Sequence, residues 1–241
     1  MTNASEVVIW SADVDEDTLD RVLVKDLPLR LVKLDRVFLT RGGLAWISEV
    51  QDRGFKVFAD AKIDEIPDKS FELAKEHLAY RPWMLNCMAA ICSTGFAVHD
   101  DMKKIDGLKR FADACHNAGT KPCAVTVKTS KTPEMVAHEY NGQTPIEQVL
   151  IYVEMLHEFG FTDVVCSPEE VPAIRAESRF DHLDINTPGI RLPGSDARDQ
   201  ARVNTPFAAI AAGATRLVIG SDLTNGVLTD NFQKISDNLN Q

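Results

Sequence analysis

The sequence predicts an α/β protein built as one closed (β/α)8 (TIM) barrel, and three observations carry that prediction. Short apolar, β-rich runs alternate with longer helix-like segments from one end of the chain to the other. Eight such alternations fall within 241 residues, close to the ~250 residues that eight β/α units typically occupy. No Gly-x-Gly-x-x-Gly follows any of the runs, which removes the dinucleotide fingerprint expected of an open, doubly wound alternative.

The strands are expected at "VVIWSADV" (7–14), "LRLVKL" (29–34), "KVFADAK" (56–62) and "WMLNCM" (83–88), then at "PCAVTVK" (122–128), "DVVCS" (163–167), "HLDINT" (182–187) and "RLVIG" (216–220). Between them, "MKKIDGLKRFADACHNAG" and "TPIEQVLIYVEMLHEFG" are amphipathic and each closes on a glycine, the usual residue just past a helix C-terminus. "TPFAAIAAG" repeats the pattern, with Pro206 near a helix start and Gly213 at its end. No Pro/Gly/Ser-rich linker interrupts the series, so residues 1–241 are expected to form one domain.

Composition limits the function. A net charge of -10 and a pI near 5.1 argue against a broad nucleic-acid or anionic-membrane surface, while leaving room for a locally bound anionic small molecule. "MTNASEVVIW" lacks the basic and apolar regions of a secretory signal. No apolar run reaches the ~20 residues of a membrane span, so a cytoplasmic protein is expected. The five cysteines (Cys87, Cys92, Cys115, Cys123 and Cys166) are odd in number and form no Cys-x-x-Cys pair. "HEY" and "HEF" lack the second histidine of a metal-binding helix. Neither a disulfide framework nor a metal site is expected.

In a (β/α)8 barrel the chemistry sits at the C-terminal ends of the strands. Those ends are Asp13, Lys33, Asp60 with Lys62, Met88, Ser130, Ser167, Thr187 to Gly189 with Pro188 between them, and Gly220 with Ser221. Asp60 and Lys62 are two apart, so in a regular strand both face the same side. Charges facing inward need partners, because burying an unpaired charge is costly. Asp13 and Lys33 can supply them, giving an alternating array of acids and lysines with Glu65 close by. In such an array a carboxylate favours the charged form of a neighbouring lysine. A lysine there can protonate a developing carbanion, and a carboxylate facing a substrate carboxylate can ease its loss as CO2. The same spacing also fits a salt-bridged rim without a catalytic role.

After the seventh strand comes a long polar loop, residues 189–202, with Gly189 and Gly194 as hinge candidates. Loops of this length in compact barrels often act as lids, although an ordinary surface loop fits as well. The end of the eighth strand offers Gly220 and backbone amides at a helix start, where these barrels usually bind phosphate.

Together these stretches resemble the orotidine 5'-phosphate decarboxylase family. "FADAKIDEIP" is similar to its Asp-x-Lys-x-x-Asp-Ile-Pro motif, and "AVTVKTS" to its fifth-strand run. "VVCSPEE" and "NTPGIRLPG" followed by "DQARVNTPFAAI" and "LVIG" are similar to its sixth-strand and seventh-to-eighth-strand signatures, while "SADVD" and "LVKL" fit its first two strands. The resemblance implies a barrel of the ribulose-phosphate-binding type, no cofactor, a nucleotide substrate, and a homodimer with active sites at the subunit interface. It implies that Asp13 lies near the ribose, Lys33 starts the charged array, Asp60 faces the substrate carboxylate and Lys62 donates the proton to C6. It further implies that Ser130 contacts the pyrimidine, that Gln200 and Gly220 hold the phosphate, with Pro188 and Ser221 in the same substrate-binding set, and that Glu65 reaches the neighbouring subunit's site.

The chain departs from the family pattern at several positions. Glu65 replaces an aspartate, Asp68-Lys69 replaces Asn-Thr, and Met88 replaces a histidine. Ser221-Asp222 stands where the family has its phosphate-clamping arginine. Loss of a bidentate Arg–phosphate contact removes roughly 1.5–3 kcal/mol, and Asp222 at that position is expected to repel phosphate. Lys69 and Arg191 are the candidate replacements. Two other readings remain open at this point. "DAKI" is also similar to the motif of the keto-gulonate phosphate decarboxylases, which act on sugar phosphates, although the long C-terminal signature speaks against that subgroup. The other is a silent barrel kept for binding.

Overall fold

A computed structural model describes residues 2–24, 27–91, 106–193 and 204–241. Eight parallel strands close into a barrel in sequence order: β1 Val8–Ser11, β2 Leu31–Asp35, β3 Lys56–Ile63, β4 Met84–Met88, β5 Lys121–Val125, β6 Asp163–Val165, β7 Asp184–Thr187 and β8 Arg216–Ile219. The barrel closes where β1 pairs with β8, Trp10 opposite Ile219. All eight predicted strands are present. β5 and β6 stop at Val125 and Val165, short of the predicted 128 and 167, because the chain turns out of the ladder to build the mouth of the barrel.

The strands read as nearly unbroken apolar runs because a parallel barrel buries both of their faces. Inside and outside packing together bury Trp10, Phe58, Phe111, Phe159, Phe161 and Phe180 almost completely. The helices begin where short polar side chains can accept orphan N–H groups. Asp35, Asp106, Thr132 and Thr205 cap helices in this way. Thr144 and Glu147 form a reciprocal capping box at the start of Pro145–Glu158. The predicted helix over 102–119 is described from Gly107 to Ala118, ending on Gly119 with φ +72°. Its predicted first residues lie outside the described ones. Pro206–Ala211 has the expected proline start, and Gly213 follows its end at φ +105°.

The two ends of the barrel carry separate charge groups. At the N-terminal end, Lys121 and Arg216 each bridge Asp163 and Asp184 at 2.7–2.8 Å, and the Arg216 guanidinium lies over the Trp83 ring. This closed, mutually neutralised network seals the bottom of the barrel, where Asp163 is fully buried. It leaves the opposite end free for the second group. Four of the cysteines (Cys87, Cys115, Cys123 and Cys166) are buried free thiols, and Cys92 lies outside the described residues. Burial pushes the Cys87, Cys115 and Cys123 thiols well up, which makes them poor nucleophiles.

Candidate active site

A cavity of about 600 Å³ opens at the C-terminal ends of the strands. Its wall includes Ser11 at the end of β1 and Asp13 just after it, Lys33 and Asp35 on β2, Asp60 and Lys62 on β3, and Lys128 to Ser130 after β5. Pro188, Gly189 and Arg191 after β7 complete it, together with Gly220, Ser221, Thr224 and Asn225 after β8.

The register of the barrel creates the central group. Lys33 lies opposite Phe58, so Asp60 sits one inward-facing step further along the neighbouring strand. Lys33 Nζ donates to Asp60 Oδ2 at 2.8 Å, and Lys62 Nζ donates to the same oxygen at 2.5 Å. Lys33 also lies 3.6 Å from Asp13 Oδ1, and Ser11 Oγ holds the other Asp13 oxygen at 2.9 Å. Asp60 is only 4% exposed and Lys33 7%, so both charges depend on each other. Burial works against the charge on Lys33, but Asp60 and then Asp13 outweigh it and raise its pKa above the usual lysine value. Burial likewise works against the Asp60 carboxylate, yet Lys33 and Lys62 hold it well below the usual carboxylate range. Lys33 and Asp60 therefore form a fixed ion pair, joined by one half-exposed member, Lys62, that lines the cavity.

Asp60 and Lys62 do face the same place, but not by regular strand alternation. The β3–β4 register jumps between Ala59 opposite Leu85 and Ile63 opposite Cys87, so β3 bulges through Asp60 and Lys62. Lys62 adopts φ +45°, a left-handed conformation costing roughly 1–3 kcal/mol for a side chain of this kind. Surrounding bonds must hold it there. Asn86 on β4 is fully buried and bonds both the Lys62 backbone N–H and the Asp60 carboxylate. Sequence reading passed over Asn86. Its only trace was one amide within the apolar run "MLNCM".

The structure brings Asp13, Lys33, Asp60, Lys62, Ser130, Pro188, Gly220 and Ser221 to one cavity. It does not bring Glu65 there. That side chain is exposed just beyond β3, where its backbone carbonyl accepts the Ser70 hydroxyl at 2.7 Å. Met88 and Ser167 are buried and do not line the cavity. Gln200, Gly194 and most of the expected lid lie outside the described residues. Of the two candidate replacements for the missing arginine, Arg191 lines the cavity, whereas exposed Lys69 pairs with Glu72 at 3.0 Å. Asp222 also departs from expectation. Its carboxylate accepts the Leu192 backbone N–H at 2.8 Å and does not line the cavity. Ser11, Asp35, Lys128, Thr224 and Asn225 are cavity residues that strand-end reasoning did not name: Ser11 and Asp35 are the last residues of β1 and β2, and the other three follow β5 and β8. Among the described residues, no cluster of three or more His, Cys, Asp or Glu side chains could hold a metal ion. None of the described helices is long and apolar enough to cross a membrane.

Comparisons with known proteins agree with this geometry. The family model described as "Orotidine 5'-phosphate decarboxylase / HUMPS family" matches residues 8–226. The orotidine 5'-phosphate decarboxylase of a Staphylococcus epidermidis strain is 34% identical over 208 residues, 86% of each chain. That of Staphylococcus aureus strain Newman is 36% identical over 194 residues, 80% of each chain. The crystal structure of the Lactobacillus acidophilus enzyme of the same name superposes with a TM-score of 0.78 at 25% identity, covering 98% of this chain and 100% of that one. By sequence and by fold, the chain belongs to the orotidine 5'-phosphate decarboxylase / HUMPS family.

Proposed function

We infer that the protein converts orotidine 5'-phosphate to uridine 5'-phosphate, a decarboxylation of pyrimidine biosynthesis, in one barrel domain spanning 1–241. The observation that carries this reading is the shared oxygen of Asp60. Two ammonium groups converge on a buried carboxylate at the cavity wall, and one of them, Lys62, is half exposed and lines the cavity. With the pyrimidine bound, its C6 carboxylate faces Asp60, and like-charge repulsion raises the ground state. The C6–CO2 bond breaks, CO2 leaves, and the electron pair stays on C6. Lys62 stabilises that charge as it grows and transfers an N–H proton to C6, ending as a neutral amine. Lys33 keeps Asp60 ionised throughout.

Asp13 then serves the ribose and Ser130 the pyrimidine, with Pro188 against the ring. Gly220 amides, Ser221 and Arg191 serve the phosphate together with Gln200. Arg191 takes the place of the clamp missing after β8. A homodimer with shared sites, implied by the resemblance of the motifs, belongs to this reading. A cytoplasmic location belongs to the same reading.

The test is to mix purified protein with orotidine 5'-phosphate and follow the ultraviolet change as the orotate ring becomes uracil. Turnover that vanishes in Lys62→Ala, with an unchanged melting curve, supports the assignment. No turnover by folded wild-type protein, or turnover surviving in Lys62→Ala, overturns it.

A further inference from the structure

The two working side chains of β3 are held by a residue on the next strand. Asn86 has no exposed surface and sits in the middle of apolar β4. Its carbonyl oxygen accepts the Lys62 backbone N–H at 2.7 Å, and its amide nitrogen donates to Asp60 Oδ1 at 2.6 Å. The amide orientation follows from its partners, since a backbone N–H can only donate and an ionised carboxylate can only accept. Asn86 therefore bonds the one Asp60 oxygen that the lysines leave alone, and bonds Lys62 at its backbone while the ammonium donates to the other Asp60 oxygen.

The local geometry explains why an amide belongs there. Five residues of β3, Ala59 to Ile63, pass three residues of β4, Leu85 to Cys87. The regular ladder is interrupted within that span, and Lys62 turns to φ +45°. Asn86 lies opposite the interruption and supplies the acceptor that the interrupted register does not. With both bonds in place, the Asp60 plane and the Lys62 main chain are fixed relative to each other. Neither a leucine nor an alanine could do both.

We propose that Asn86 is the positioning residue of the charged group: it acts through Asp60 and Lys62, without touching substrate, and sets the geometry in which the Lys62 ammonium meets the reacting carbon. Its kinetic consequence rests on the decarboxylase reading, whereas its structural consequence does not. Asn86 does not line the cavity, and the lining after β7 and β8 makes no bond to it, so substrate binding persists while Asp60 and Lys62 lose their alignment. Misplacement by ~1 Å costs on the order of 100-fold in rate.

The test compares wild type with Asn86→Ala and Asn86→Asp. In Asn86→Ala, kcat should fall about 100-fold while KM changes less than about threefold. The Asp60 carboxyl signal, followed by carbon NMR without substrate, should titrate at higher pH than in wild type, because the carboxylate has lost a donor. Asn86→Asp keeps the acceptor for the Lys62 N–H but loses the donor to Asp60. It should retain slow exchange at the Lys62 amide while still shifting Asp60. Unchanged kcat in folded Asn86→Ala, or an unmoved Asp60 titration, overturns the proposal. Should Asn86→Ala fail to fold, amide exchange in wild type decides: a Lys62 N–H that exchanges as fast as an exposed loop amide means the bond is absent. A wild type without turnover defeats the decarboxylase reading alone, and the Asp60 titration and Lys62 exchange still judge the positioning role.

Discussion

The Asp222 carboxylate accepts the backbone N–H of Leu192 at 2.8 Å, tying the chain after β7 to the chain after β8. An acid next to the expected phosphate position would repel a dianion if it faced the cavity. Here that acid is spent on a main-chain donor, and the residue that lines the cavity beside it is Ser221. Asp222 thus acts as a latch for the segment that carries Arg191. Asp222→Ala should raise KM for the nucleotide by up to about tenfold through loss of one charge-assisted bond. kcat should remain near wild type, and Asp222→Asn, which keeps an acceptor, should recover most of the loss. Steady-state kinetics on the three proteins checks this; an unchanged KM in Asp222→Ala would show that the latch does not hold the phosphate end.

Ser221 Oγ is buried with no partner among the described residues, as is Thr187 Oγ1 on the neighbouring strand. A buried hydroxyl without a partner is costly, and an anion in the cavity could relieve it. Ser221→Arg should tighten phosphate-bearing ligands by about 10- to 100-fold, since a guanidinium replaces a neutral contact. Titration calorimetry with uridine 5'-phosphate, and with uridine as the phosphate-free control, separates this from a general effect. Equal affinity before and after the substitution would mean that Arg191 and the backbone amides already satisfy the phosphate.

How much of this was legible beforehand follows from where each signal is stored. All eight strands could be read, because burial on both faces turns a parallel strand into a continuous apolar run, and each run is local. Lys33, Asp60, Lys62 and Ser221 could be read because strand ends in a barrel point to one mouth. Asn86 could not. Its role depends on β4 lying beside a bulge in β3, a pairing between residues more than twenty positions apart that no local pattern records. The reason Asp60 and Lys62 converge was also misread, since strict alternation predicts an ordinary strand and the chain instead uses a left-handed lysine. Asp222 was misread in the opposite sense, because its charge was visible while its direction was not.

Asp60 and Lys33 also govern the pH dependence of stability. The Asp60 pKa is lower in the folded than in the unfolded chain, so its contribution is present above the ordinary carboxylate range and is lost as pH falls toward its folded value. The Lys33 pKa is raised on folding, so its contribution is present below the ordinary lysine value and is lost as pH rises through the folded one. Asp60→Asn should cost about 3–5 kcal/mol at neutral pH by leaving the buried ammonium without its main counter-charge. In that variant burial dominates and the folded lysine sheds its proton early. Stability should then rise with pH from neutral toward alkaline, where wild type stays flat. Urea unfolding across that range checks the sign, and parallel curves for the two proteins would refute the coupling.

Glu65 is exposed beyond β3 and absent from the cavity of its own chain, which makes its proposed work in a partner's site directly testable. In a two-fold dimer each site would combine Lys62 of one subunit with Glu65 of the other. Lys62→Ala and Glu65→Ala should each be nearly inactive alone. Mixing them after partial unfolding allows subunits to exchange. One site of each hybrid then carries both lesions, and the other carries none. Random pairing of equal amounts should restore about one quarter of wild-type activity, because half of the dimers are hybrids and each has one intact site. If Glu65 instead serves its own chain, every site in the mixture carries one lesion and no activity returns. Sedimentation of the unmixed proteins gives the necessary control, since a monomeric wild type would rule out sharing altogether. A longer glutamate in place of the family's aspartate also sets a limit on the interface: Glu65→Asp should lower activity if the subunits are spaced for the longer side chain, and leave it unchanged if the extra methylene is taken up by flexibility at the exposed end of β3.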